Sequence, residues 1–149
     1  MEIKQIKINQ IDEVYDLICE QFGDEAWSKD QLKDSFNSNS TKFYGLFKND
    51  KLTCFSCVLE TPDDVNILYI ATKNEFKRQG YAKKMMSFLI DGLKENQTLS
   101  VEVKSKNVCA IKLYELFNLK TLNIRKNYYK DGDDALCMFF GAEKKFKNK

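Results

Sequence analysis

The chain has 149 residues, 43% of them hydrophobic, which is enough for one globular core of ordinary size and too little for two domains. Its 24 basic and 22 acidic side chains leave a net charge of +2, too weak a field to grip nucleic acid or anionic lipid. No apolar stretch approaches the roughly 20 residues that span a bilayer, and the charged start lacks a signal-peptide core, so a soluble cytoplasmic protein without membrane or direct nucleic-acid contact is expected.

Residues 2–8 alternate charged and aliphatic side chains and predict a first strand. Ile11, Val14, Tyr15, Ile18 and Phe22 then recur at the spacing of one helix face. Ser28, with Gln31 three positions on, has the form of a capping box and predicts a second helix from Lys29 to about Phe36. Strand-like runs at 42–47 and 51–59 flank Lys48, Asn49 and Asp50, which suit a hairpin turn, so an antiparallel pair is expected. A turn over Thr61, Pro62, Asp63 and Asp64 leads into an apolar run at 65–72 that reads as a central strand.

The period then changes. Ala82, Met85, Met86, Leu89, Ile90 and Leu93 form one stripe of a long helix expected to end near Glu95 and Asn96. Residues 99–103 read as a strand with Leu99, Val101 and Val103 on one face and Ser100 and Glu102 on the other. A helix over 108–117 places Ala110, Leu113, Tyr114 and Phe117 on one side. Two closing strands, at 120–125 and 135–140, flank a turn at Asp131 and Gly132. This order predicts an α/β (α+β) fold, a mixed and mostly antiparallel sheet with helices on both faces. One domain over residues 1–141 follows, with a lysine-rich tail at 142–149 expected to be frayed. That tail reads as solvated, with contact to RNA as the alternative.

The five cysteines, Cys19, Cys54, Cys57, Cys109 and Cys137, are odd in number and stand among apolar neighbours, so they read as reduced core residues. Cys54 and Cys57 form C-x-x-C inside a predicted strand, where positions three apart face opposite sides and do not chelate one metal. With no histidine and no second pair, no metal site is expected. The missing histidine also removes the usual base of a nucleophilic triad.

The most informative segment is 74–84, where a polar loop carrying Lys77, Arg78, Gln79 and Gly80 opens directly into the long helix at Tyr81, Ala82 and Lys83. A helix begins with backbone N–H groups that lack internal partners, and its dipole places partial positive charge there, so such a junction suits an anion. Gly80 has no Cβ to hold phosphates away, and Ala82 keeps the next turn small. The segment is neither G-x-G-x-x-G nor a Walker lysine loop.

Lys77-Arg78-Gln79-Gly80-Tyr81-Ala82 resembles the R/Q-x-x-G-x-G/A signature of the GNAT acetyltransferases, and residues 67–72 resemble the strand that precedes it. Residues 101–115, from Val101-Glu102-Val103 through Asn107 and Ala110 to Leu113-Tyr114-Glu115, resemble the family's E-V-x-x-x-N-x-x-A-x-x-L-Y-E stretch. Arg125-Lys126-Asn127-Tyr128-Tyr129, Asp134-Ala135-Leu136-Cys137-Met138 and Trp27-Ser28 are similar to the RimI-type branch of ribosomal-protein alanine N-acetyltransferases. The departures are Lys77 for Arg or Gln, Ala26 for proline, and Asn118-Leu119 for Gly-Phe. Asparagine tolerates a left-handed cap, so that last turn is expected to survive.

The resemblance implies the GNAT fold and acetyl-CoA as cosubstrate, with no metal. It implies that Lys77, Arg78, Gln79, Gly80, Tyr81, Ala82 and Lys83 bind the coenzyme A pyrophosphate, and that Ile70, Ala71 and Thr72 offer main chain to the pantetheine arm. Asn107, with Ala110 beside it, binds the arm or caps the last helix, and both roles can coexist. Glu102 serves as general base through water, or is a solvated strand carboxylate; Tyr114 serves as general acid, or is a core tyrosine. Arg125, Tyr128 and Tyr129 line an acceptor-peptide groove or simply end a strand. The acceptor implied is the N-terminal alanine of a ribosomal protein, attacked directly in a ternary complex. A small amine or another protein is the alternative, and a coenzyme A-binding or ribosome-associated module without turnover is the alternative from another class.

Overall fold

The structure, a computed structural model, describes residues 2–142; all but the first residue of the anticipated basic tail lies outside them. The chain runs β1 (Ile3–Gln5), α1 (Ile11–Phe22), α2 (Lys29–Phe36), β2 (Thr41–Lys48), β3 (Lys51–Glu60) and β4 (Asp64–Thr72). It continues through α3 (Tyr81–Asp91), β5 (Thr98–Lys104), α4 (Val108–Leu116), β6 (Lys120–Arg125) and β7 (Ala135–Phe140). The strands form one sheet in the order β1-β2-β3-β4-β5-β7-β6. Every pairing is antiparallel except β4 with β5, whose connection must cross over and does so through α3.

Local chemistry accounts for the elements. Ser28 caps α2 by accepting from the Gln31 N–H while the Gln31 side chain accepts from the Ser28 N–H, a reciprocal box worth about 1 kcal/mol. Asn49 and Asp50 both take positive φ and close the β2–β3 hairpin in the mirror-image turn that matches strand twist. Asn118 adopts φ 66° after α4, the left-handed turn anticipated for it.

The sheet is covered on both faces. Val65, Ile67, Leu99, Val101 and Val103 pack with Met85, Met86 and Leu89 of α3 and Tyr114 of α4, whereas Phe43, Phe55, Tyr69 and Ala71 pack with α1 and α2. Hence β3, in the middle, is buried continuously from Leu52 to Val58. Cys54 packs into the α3/α4 layer and Cys57 into the α1/α2 layer, so the C-x-x-C pair is divided between two cores.

Three expectations are corrected. The helix expected to reach Asn96 stops at Asp91, because Gly92 is a poor helix former and the Gln97 side chain accepts from Lys94 N–H, drawing that backbone into the next turn. On α1 it is Leu17, together with Ile11, Val14 and Ile18, that is buried, while Tyr15 and Phe22 lie at the edge of the stripe. Cys19 and Cys109 are exposed on helix surfaces; only Cys54, Cys57 and Cys137 are core residues.

Burial pushes the Cys54 thiol up to about 11 and the Cys57 thiol higher still. An unfolded thiol ionises near 8.5, so above that pH the folded state retains protons that the unfolded state has lost, and stability falls as pH rises. Thermal melts from pH 8 to 10.5 are expected to show a falling Tm for the wild type and a flatter profile for Cys57→Ala, from a lower starting point. Parallel profiles would refute this.

Candidate active site

The site begins with a parting of strands. Pairing between β4 and β5 runs from Asp64↔Thr98 to Ile67↔Val101 and stops, although both strands continue. At that point β4 carries a bulge: Cys57 opposes Tyr69 and Val58 opposes Ile67, leaving Leu68 as an extra residue. A bulge bends its strand and sharpens local twist, which carries residues 69–72 away from β5. Beyond the parting, β4 is held by β3 and β5 by β7, so one edge of each strand has no strand partner. Main-chain donors and acceptors lining a cleft require partners, and an extended ligand arm can supply them.

The α3 end of the notch is built from main chain. Gly80 is the N-cap of α3 at φ 81°, in the left-handed region, with no side-chain cap and no acidic residue in the first turn. A Cβ at Gly80 would meet nothing within 4 Å, so the backbone here is open. Arg78 also takes a positive φ, 65°, flanking Gln79 with two left-handed residues; such alternation turns successive N–H groups toward a common concavity. This strained, non-glycine conformation was not legible from residue types. Lys77, Arg78 and Gln79 are exposed beside the first-turn amides of Tyr81, Ala82 and Lys83. The Lys83 side chain borders a surface concavity with Glu2, Phe88 and Asp91, away from Lys77, Arg78 and Gln79.

Alternation divides the remaining residues between two faces. After the Leu68 bulge, Tyr69 and Ala71 point into the α1/α2 layer, and Ile70 packs with the α3/α4 layer, with Thr72 on the same side. Asn107 caps α4 by accepting from Ala110 N–H at 3.2 Å. Tyr114, two turns later, is 4% exposed. Burial first, and then the nearby Tyr129, pushes its phenol well above the ordinary tyrosine range. Ser56 Oγ is the one fully enclosed side-chain polar atom without a partner among the described residues. The Tyr114 hydroxyl, unbonded among those residues, therefore keeps an opening.

Glu102 lies on the other face, opposite in direction to Val101 and Val103. Arg125 at the end of β6 reaches it, Nη2 to Oε1 at 3.5 Å, and sits over the Tyr128 ring. Tyr128 packs edge-on against Tyr129, and burial together with the Glu102 and Glu25 carboxylates pushes the Tyr129 phenol up to about 12. Tyr114 thus lies in the α3/α4 layer, whereas Glu102, Arg125, Tyr128 and Tyr129 form one linked group on the opposite face. Sequence reasoning missed Lys104, Glu25 and Tyr69. Lys104 follows Glu102 at strand spacing, a signal that places it on the Glu102 face, but its partners lie in distant loops.

The profile of the acetyltransferase (GNAT) family matches residues 11–118. The chain is 33% identical over 112 residues to the ribosomal-protein-bS18-alanine N-acetyltransferase of Escherichia coli K12, covering 70% of this chain and 76% of that protein. It is 34% identical over 107 residues to the enzyme of the same name from Haemophilus ducreyi, covering 69% and 72%. The crystal structure of the Escherichia coli ribosomal-protein-S18-alanine N-acetyltransferase superposes with a TM-score of 0.84 at 26% identity, covering 93% of this chain and 92% of that one.

Proposed function

We propose, on the premise that this chain belongs to the acetyltransferase (GNAT) family and is an N-acetyltransferase, that its donor is acetyl-CoA and its acceptor the N-terminal alanine of a ribosomal protein. The observation that carries this reading is the notch itself, where β4 and β5 stop pairing after Ile67↔Val101 although both strands continue. The acceptor assignment is supported by the activity for which the relatives are named. Among the described residues no helix is long and apolar enough to cross a membrane.

The residues present fit the donor. The uncapped amides from Gly80 through Lys83, with Lys77, Arg78 and Gln79 around them, would hold its diphosphate, and the free main-chain edge at Ile70, Ala71 and Thr72 would pair with its pantetheine arm, flanked by Asn107 and Ala110. When bound, it supplies an acetyl group activated as a thioester. The acceptor approaches from the α1/α2 face, where Arg125, Tyr128 and Tyr129 wall the groove. Glu102 takes the proton of the incoming ammonium, through water. An α-amino group, with pKa about 7.7 to 8.0, needs far less help to be neutral than a lysine near 10.4. Tyr114 protonates the departing sulfur; its raised pKa keeps the hydroxyl loaded with a proton across the neutral range.

Tyr114→Phe is expected to lower kcat about 100-fold, the size of a lost general acid, while acetyl-CoA affinity by calorimetry stays within about twofold. A wild-type kcat would remove Tyr114 from the mechanism. Gly80→Val is expected to raise the acetyl-CoA Kd by more than about tenfold; its folding cost, about 1–2 kcal/mol for a left-handed β-branched residue, is separable by urea unfolding. A panel of Ala-starting peptides against polyamines tests the acceptor, and higher kcat/KM on polyamines would overturn the assignment.

A further inference from the structure

The α1–α2 connection straddles the notch on the acceptor face. From one lip, Tyr69 of β4 accepts the Trp27 N–H at 3.1 Å, and its ring packs edge-on against both Phe22 and Trp27 with centroids 4.8 Å apart. From the other lip, Lys104 of β5 reaches Glu25 in the same connection, Nζ to Oε1 at 2.5 Å. The same ammonium contacts Asp131 Oδ2 at 2.9 Å and lies 5.1 Å from the centre of the Tyr129 ring. Asp131 and Tyr129 belong to the β6–β7 loop, so one cation joins the two loops that wall the acceptor groove. It does so two residues beyond Glu102, on the Glu102 face. Only a quarter of the Lys104 side chain is exposed, which screens these pairs less than open surface pairs are screened. The carboxylates, Glu25 first, hold the ammonium well above the usual lysine range.

We infer that Lys104 is a positioning residue that sets acceptor selectivity by tying the α1–α2 connection to the β6–β7 loop, keeping the groove narrow enough to favour a small first residue. Glu102 and Tyr114 carry the proton transfers; Lys104 touches neither reacting atom and acts through Glu25, Asp131 and the Tyr129 ring. The inference rests on the N-terminal acetylation reading above. With the tie cut, the two loops move apart, bulkier first residues gain admission, and small ones are held less firmly. The change falls on which first residue the groove admits and holds, so selectivity is the sensitive readout.

The test uses peptides beginning with Ala, Ser or Leu, with wild type, Lys104→Met, Lys104→Arg, Glu25→Gln and the Glu25→Gln/Lys104→Met double variant. Lys104→Met is expected to raise KM for the Ala peptide and to reduce the Ala-over-Leu ratio of kcat/KM about tenfold. Its kcat on the Ala peptide and its acetyl-CoA affinity are expected to stay within about twofold of wild type. Lys104→Arg should restore the ratio, and the double variant should lose little more than either single change, since both cut the same link. Hydrogen exchange at residues 23–27 and 127–134 should quicken together in Lys104→Met. An unchanged Ala-over-Leu ratio, or a fall in kcat alone, would overturn the selectivity role, and unchanged exchange in either loop would overturn the tie. If wild type acetylates none of the peptides, the acceptor reading fails by itself, and the exchange measurement still decides whether Lys104 joins the loops.

Discussion

Everything at the site depends on the parting of β4 and β5. Had the two strands stayed paired to their ends, their main-chain groups would be consumed in the ladder and the sheet would present two closed faces. The Leu68 bulge prevents this at a definite residue, because one inserted position both bends β4 and reverses which of its side chains face each layer. Before the bulge, Val65 and Ile67 pack toward α3; after it, Tyr69 and Ala71 pack toward α1 and α2. The same irregularity that opens the cleft therefore supplies Tyr69, the side chain that anchors the wall above it.

The two sides of the cleft have different electrostatic character. On the α3 side the positive element is main chain: amides left uncapped at Gly80, with no first-turn acid to neutralise them. These donors are fixed in place before any anion arrives, so little reorganisation accompanies binding. On the α1/α2 side the carboxylates Glu25, Glu102 and Asp131 are each met by Lys104 or Arg125. Charge on this side is therefore already balanced. Tyr114 lies in the α3/α4 layer, and its enclosure by apolar neighbours keeps its hydroxyl protonated, since ionisation inside the core is disfavoured.

Features governed by near neighbours in the chain were legible from residue types. The Ser28–Gln31 box, the Asn49–Asp50 turn, Asn107 as a cap and the outward direction of Glu102 each depend on a few adjacent positions, and each appears as expected. The fold order follows from the same local rules. The bulge at Leu68 was not legible, since its residues are ordinary β formers and the extra position exists only relative to β3. Lys104 was passed over for a related reason: its spacing to Glu102 is local, but Glu25 and Asp131 meet it only after the sheet has formed. Glycine content could have shortened the third helix in advance, whereas the competition from the Gln97 side chain is tertiary. Cys19 and Cys109 were misjudged because apolar neighbours in sequence do not fix which side of a helix a residue takes.

The β5–α4 turn joins the two halves of the site mechanically. Asp133 is almost wholly buried and accepts from the Ser105 hydroxyl, the Lys106 N–H and the Asp134 N–H. These bonds, the Ser105 hydroxyl first, hold its carboxylate below the usual aspartate range. The turn held in this way connects Glu102 and Lys104 of β5 to Asn107, the cap from which Tyr114 is measured off along α4. The loop that holds it carries Tyr129 and Asp131. A displacement of that loop must therefore move Tyr129, Asp131 and the start of α4 together.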